Sequence, residues 1–155
     1  MNDITSYMLE QTKKILSIDS PTGFTAHAAE YVLGAYKKLG YDAKLTNKGG
    51  IFVCVNDGPD QADDPADAPI LLEAHMDTLG GMVCSINEKG RLMLSALGGM
   101  NPNNAEAENC RVYTRSGKVY SGTFQLKNAS IHVNGSYNDT ARSYDAMAVS
   151  YTHLR

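Results

Sequence analysis

Gly80-Gly81 divides this sequence into two stretches whose apolar periodicities differ, so one uniform architecture cannot accommodate both. Upstream, apolar residues recur at helical spacing in two places. Between Ile4 and Ser17, the residues Ile4, Tyr7, Met8, Ile15 and Leu16 fall near one helical face, and Asp19-Ser20-Pro21-Thr22-Gly23 breaks the pattern. Thr25 is placed to cap a second helix with Ala28, Ala29, Val32, Leu33, Tyr36 and Leu39 as its apolar stripe. Lys37 and Lys38 suit its C-terminal end, and Gly40 suits its stop. Tyr41 to Thr46 and Ile51 to Val55 flank Asn47-Lys48-Gly49-Gly50 as the arms of a hairpin. Ile70-Leu71-Leu72-Glu73-Ala74 is a short apolar run of the kind that forms a buried central strand. Downstream of Gly81, strands are expected at Met82–Asn87, Arg91–Leu97, Cys110–Arg115, Val119–Leu126 and Ile131–Asn134. Glu88-Lys89-Gly90, Gly98-Gly99 and Ser116-Gly117-Lys118 supply the turn chemistry between them. The pattern is an α/β piece followed by an all-β piece.

Composition excludes several classes. A net charge of −3 gives no electrostatic reason to bind nucleic acid or an anionic membrane. No run approaches the roughly 20 apolar residues that span a bilayer. The N-terminal residues lack an unbroken apolar core, which argues against a signal peptide. Cys54, Cys84 and Cys110 are scattered and odd in number, as reduced thiols of a cytoplasmic protein are. Asp57 to Pro69 holds five aspartates and three prolines without calcium-loop spacing, and reads as a solvated loop.

The chemistry concentrates at His75-Met76-Asp77, directly after the expected Ile70–Ala74 strand. Open α/β sheets bind ligands outside the carboxyl ends of their strands. Residues two apart in an extended chain face the same side, so Asp77 lies beside His75. A carboxylate there can accept one imidazole N–H and leave the other nitrogen for a metal. By itself His-x-Asp is a weak pattern, better served on spacing alone by an ordinary hydrogen-bonded histidine.

Ile70-Leu71-Leu72-Glu73-Ala74-His75-Met76-Asp77-Thr78-Leu79-Gly80 resembles the His-x-Asp segment of the glutamyl or tetrahedral aminopeptidases, peptidase family forty-two, also labelled endoglucanase or cellulase M. Ile18-Asp19-Ser20-Pro21-Thr22-Gly23 is similar to that family's early Ser-Gly turn. Asn87-Glu88-Lys89-Gly90-Arg91-Leu92, Leu97-Gly98-Gly99 and Arg111 to Gly122 follow in family order. The resemblance implies the N-terminal part of a zinc-peptidase-like α/β catalytic domain over residues 1–79. It implies a barrel-like, all-β inserted domain over 80–149 through which subunits form homo-oligomers. It also implies a cytoplasmic exopeptidase that removes N-terminal residues from peptides with two divalent metal ions, zinc or cobalt. His75 would ligate one metal and Asp77 would orient it.

The family's later ligands are a bridging Asp, a Glu-Glu pair, a further Asp and a last His, and none is found in this sequence. The expected reading is therefore a fragment, inactive as this chain alone. Tyr144 to Val149 still resembles the family, whereas 150–155 reads as a doubtful tail, from a cut reading frame or a divergent terminus. A related metallo-deacylase or carboxypeptidase, and a non-catalytic β interaction module, are the alternatives. His27 and His132 read as surface or packing residues, and His153 lies in the tail.

Overall fold

The structure, a computed structural model, describes residues 3–55 and 70–152. The expected acidic loop, Asp57 to Pro69, lies outside the described residues. The chain separates into two compact units, Met1–Thr78 and Leu79–Arg155.

The first unit opens with helix α1 (Asp3–Leu16), with Asp3 in its first turn and Lys13 and Lys14 in its last. Those charges oppose the partial charges of the helix ends. Helix α2 (Ala26–Lys38) buries Ala28 and Ala29, while α1 buries nothing. Tyr31 on α2 donates to Gln11 on α1 at 2.6 Å. Thr25 does stand at the start of α2, but its backbone is already helical and its hydroxyl makes no capping bond. The C-terminal end is closed by a Schellman motif, which satisfies the last free carbonyls. The Tyr41 N–H reaches Tyr36 O at 3.2 Å and the Gly40 N–H reaches Lys37 O at 3.0 Å. Gly40 takes the positive φ of 90° that the motif needs, and the Tyr36 and Tyr41 rings meet edge to face at 6.1 Å.

The expected hairpin is present but short. Strands β1 (Lys44–Leu45) and β2 (Ile51–Phe52) pair antiparallel through only Lys44 with Phe52 and Leu45 with Ile51. Thr46 organises its turn, accepting from Gly50 N at 3.0 Å through its hydroxyl.

The Ile70–Ala74 run departs from expectation. Among the described residues it forms no strand, and Ile70, Leu71 and Leu72 are 87%, 71% and 87% exposed. A strand needs a neighbour to accept its ladder hydrogen bonds. Among the described residues the first pairing beyond the run is an isolated parallel bridge between Pro21 and Thr78.

The second unit is one antiparallel sheet of five strands in the order β3-β4-β7-β6-β5. These are β3 (Gly80–Ile86), β4 (Leu92–Leu97), β5 (Asn109–Tyr113), β6 (Val119–Leu126) and β7 (Met147–Tyr151). The sheet's edges are β3 and β5, which do not pair with each other among the described residues. A bulge at Cys84 interrupts the β3–β4 register. Leu92, Phe124, Leu126, Met147 and Val149 form the buried centre, with Val112, Ala105 and Tyr144 packed against it.

Three features correct the sequence reading. Ile131–Asn134 is a run of turns instead of a strand: Val133 and Asn134 N–H groups both return to Ser130 O, and Ile131 and Val133 are exposed. A one-turn helix, α3 (Pro102–Ala105), appears where none was expected, capped by Asn101 with Pro102 in its first turn. Ser150 and Tyr151, set apart as tail, lie within β7 and pair with Thr123 and Gly122, and the Thr152 N–H reaches Ser121 O at 2.9 Å. The rest of that tail, 153–155, is outside the described residues.

Arg142 ties the long β6–β7 connection down. It donates to Glu106 at 2.8 Å and to the carbonyls of Tyr137 and Thr140, and it lies over the Tyr137 ring at 4.7 Å.

Gly122 marks the tightest approach inside the sheet. A Cβ there would meet Val149 Cγ1 at 2.7 Å and Ser150 O at 3.0 Å. Replacing Gly122 by Ala is expected to destabilise the sheet by about 1–3 kcal/mol, because the buried neighbour must be displaced. A denaturation midpoint for the second unit equal to the parent's would refute that reading of the β6–β7 contact.

Candidate metal-binding site

His75 and Asp77 sit where the extended segment after Ala74 meets the turn that follows α1. Backbone bonds join the two: the Thr78 N–H reaches Ser20 O at 2.7 Å, and the Thr22 N–H reaches Thr78 O at 3.3 Å. Pro21 to Phe24 is a tight turn, closed by the Phe24 N–H to Pro21 O at 2.7 Å. Gly23 occupies its third position with φ of 84°, which a type II turn requires there.

The His75 ring nitrogen Nδ1 lies 2.9 Å from the Asp77 backbone carbonyl and 3.0 Å from Asp77 Oδ1. A carbonyl accepts only, and so does an ionised carboxylate. Nδ1 therefore carries the proton in the neutral ring, and the lone pair is on Nε2. The other carboxylate oxygen, Oδ2, accepts the Thr22 hydroxyl at 2.7 Å. That bond is the main cause holding the Asp77 carboxyl below its ordinary pKa, with the hydrogen bond and charge of His75 adding to it. The imidazole is largely open to solvent and the carboxylate partly so, at 85% and 40% side-chain exposure.

Thr22 is the participant that the sequence does not reveal. It lies 55 residues from Asp77, and as sequence it is one member of a helix-breaking turn. The only pointer to it is its place in the Ile18–Gly23 stretch that resembles the early turn of the aminopeptidases.

Among the described residues, no three His, Cys, Asp or Glu side chains come together in a group able to hold a metal. A single zinc site takes about three protein ligands plus water. The described residues alone do not fit a dinuclear centre; they fit one imidazole donor with its supporting carboxylate. His27 is exposed and meets the Phe24 ring edge-on at 5.8 Å, and His132 is exposed in a turn. Cys54 and Cys84 are exposed, and burial pushes the Cys110 thiol pKa up, away from thiolate chemistry. No described helix is long and apolar enough to cross a membrane.

A family model described as M42 glutamyl aminopeptidase matches residues 50–151. The protein YhfE of Bacillus subtilis (strain 168) is 33% identical over 141 residues, which is 91% of this chain and 39% of that protein. The chain thus spans about two fifths of the length of this relative. The crystal structure of a TET aminopeptidase from the marine sediment archaeon Thaumarchaeota archaeon SCGC AB-539-E09 superposes with a TM-score of 0.76 at 18% identity. It covers 95% of this chain and 38% of that one. PhTET1-12s, described as a dodecamer, gives a TM-score of 0.73 at 21% identity, covering 92% and 39%. At such identities the structural likeness is one of fold.

Proposed function

We propose, for a chain that belongs to the M42 glutamyl aminopeptidase family, that it is a portion of a metal-dependent aminopeptidase and supplies one ligand, His75, to the metal centre. The single observation that carries the assignment is the disposition of the imidazole. Nδ1 is committed to two acceptors of Asp77, so Nε2 is left as the nitrogen able to donate a lone pair. In this reading Asp77 touches no substrate; it fixes the tautomer and the ring plane of His75.

The centre itself would hold two divalent ions, zinc or cobalt, whose chemistry is to polarise a peptide carbonyl and to acidify water. Among the described residues no further ligands gather beside His75. The substrates would be peptides, cleaved at their N-termini in the cytoplasm. The β-rich unit, residues 80–149, would join subunits of a homo-oligomer, a proposal supported by the dodecameric assembly of PhTET1-12s. This chain alone is expected to be inactive.

The experiment is to replace His75 by Ala in the intact protein and to measure bound zinc after dialysis, by elemental analysis. Loss of at least one equivalent per subunit, with unchanged circular dichroism, is expected. Full stoichiometry at unchanged affinity in the variant would remove His75 from the centre.

A further inference from the structure

We infer that Thr22 is a positioning residue: its hydroxyl, by holding Asp77 Oδ2, aims Asp77 Oδ1 at His75 Nδ1 and so sets the imidazole tautomer. The inference rests on the reading of His75 as a metal donor only for its functional consequence. The geometry behind it is independent of any metal.

A terminal carboxylate torsion is broad and roughly two-fold, so an exposed aspartate does not by itself present one oxygen in one direction. In this structure the two oxygens are divided between two partners. Oδ2 takes the Thr22 hydroxyl at 2.7 Å, within the range of a hydrogen bond to an ionised acceptor, and Oδ1 stands 3.0 Å from Nδ1. Thr22 can hold this place because its own backbone is fixed twice over. Its N–H bonds Thr78 O, one residue beyond Asp77, and it occupies the turn closed between Pro21 and Phe24. The two segments are 55 residues apart in sequence, yet they meet at this hydroxyl and at the parallel bridge beside it. Without the hydroxyl, the carboxylate can rotate away. Nδ1 then keeps only the Asp77 carbonyl at 2.9 Å, and the competing tautomer, with its proton on Nε2 facing solvent, gains population.

The test uses the intact, metal-free protein in alkaline buffer, with 15N-labelled histidine and the ring resonances of His75 read by NMR. In the parent, Nδ1 is expected as the protonated nitrogen. Thr22→Val keeps the shape and the backbone bonds and deletes the donor. It is expected to move the His75 ring nitrogens toward a mixed-tautomer average. Thr22→Ser keeps the hydroxyl and is expected to restore the parent spectrum, which a purely steric role of Thr22 would not do. Zinc affinity should fall in the Val variant by about 10-fold, the lower end of the roughly 10–100-fold typical when an outer hydrogen-bond partner is lost. Parent-like ring resonances in Thr22→Val overturn the inference. So does a Thr22→Ser spectrum that departs from the parent, and this arm holds even if the Val variant fails to fold. Undiminished zinc uptake in His75→Ala would sink the metal assignment while leaving the tautomer result standing, so the two failures are distinguishable.

Discussion

Produced alone, the 155-residue chain is expected to self-associate at micromolar concentration, and replacing Leu71 by Lys is expected to reduce that association. Ile70, Leu71 and Leu72 are each more than two thirds exposed. Successive residues of an extended chain point to opposite sides, so this run offers apolar surface on both. Apolar residues on both sides are what a strand covered on both faces carries. Among the described residues that cover is absent, and the backbone N–H and C=O groups of residues 70–74 form no strand ladder. Such a segment is a template for pairing with another copy. Burying each of the three side chains is worth about 1.5–3 kcal/mol, enough together to drive association. In the intact protein the sign reverses: Leu71→Lys would place a charge inside a central strand and should abolish folding. Light scattering of the isolated chain and soluble yield of the intact protein read the two arms. A monodisperse parent chain, with Leu71→Lys tolerated in the intact protein, would show that the run was never meant for burial.

That same segment shows where sequence periodicity stops being informative. The apolar run states what burial the residues need, and the family resemblance states the same. Neither says whether the neighbours that supply it are within these residues. Local signals fared better where the energetics are local. Gly40, Lys37 and the tyrosine pair close α2 through bonds that span no more than a turn. The turns at Gly90, Gly98 and Gly117 all take the positive φ that glycine favours. Ile131–Asn134 misleads because its two apolar side chains alternate like a strand, yet among the described residues no partner strand meets them and Asn134 bonds back to Asn128 O instead. Met147–Tyr151 is the opposite case. Its strand character comes from lying between β4 and β6, a long-range pairing that no window of sequence contains.

The candidate site divides in the same way. His75 and Asp77 are two residues apart, so their mutual reach is a local matter of extended geometry, and that much is legible. Thr22 is fixed by a pairing across 55 residues, and its hydroxyl is indistinguishable in sequence from any turn threonine. Resemblance adds the chemistry that residue types alone do not name: as sequence, a histidine with an aspartate is a common hydrogen-bonded pair, and the family's pattern around it supports the metal reading that the free Nε2 carries.

Replacing Leu126 by Ala is expected to remove about 2–5 kcal/mol from the stability of the second unit. Leu126 is 1% exposed, ends β6 opposite Met147, and joins Leu92, Phe124, Met147 and Val149 in the buried cluster. Those five residues hold together β4, β6 and β7, the three inner strands of the sheet. Truncation to Ala forfeits both the transfer of the lost atoms from water and the contacts around the cavity left behind. The unit spans Leu79 to Arg155, 77 residues, for which a typical stability is roughly 4–12 kcal/mol. The substitution therefore removes a large share of the total and should lower the denaturation midpoint of residues 79–155 strongly. Val119→Ala is the control: Val119 is also on β6 but is 49% exposed, and should cost well under half as much. Equal losses in the two variants would mean that the sheet is held by its backbone ladder alone. A large loss confined to Leu126→Ala would locate the stability in the cluster that β7 completes, and would make Met147–Tyr151 indispensable to this unit.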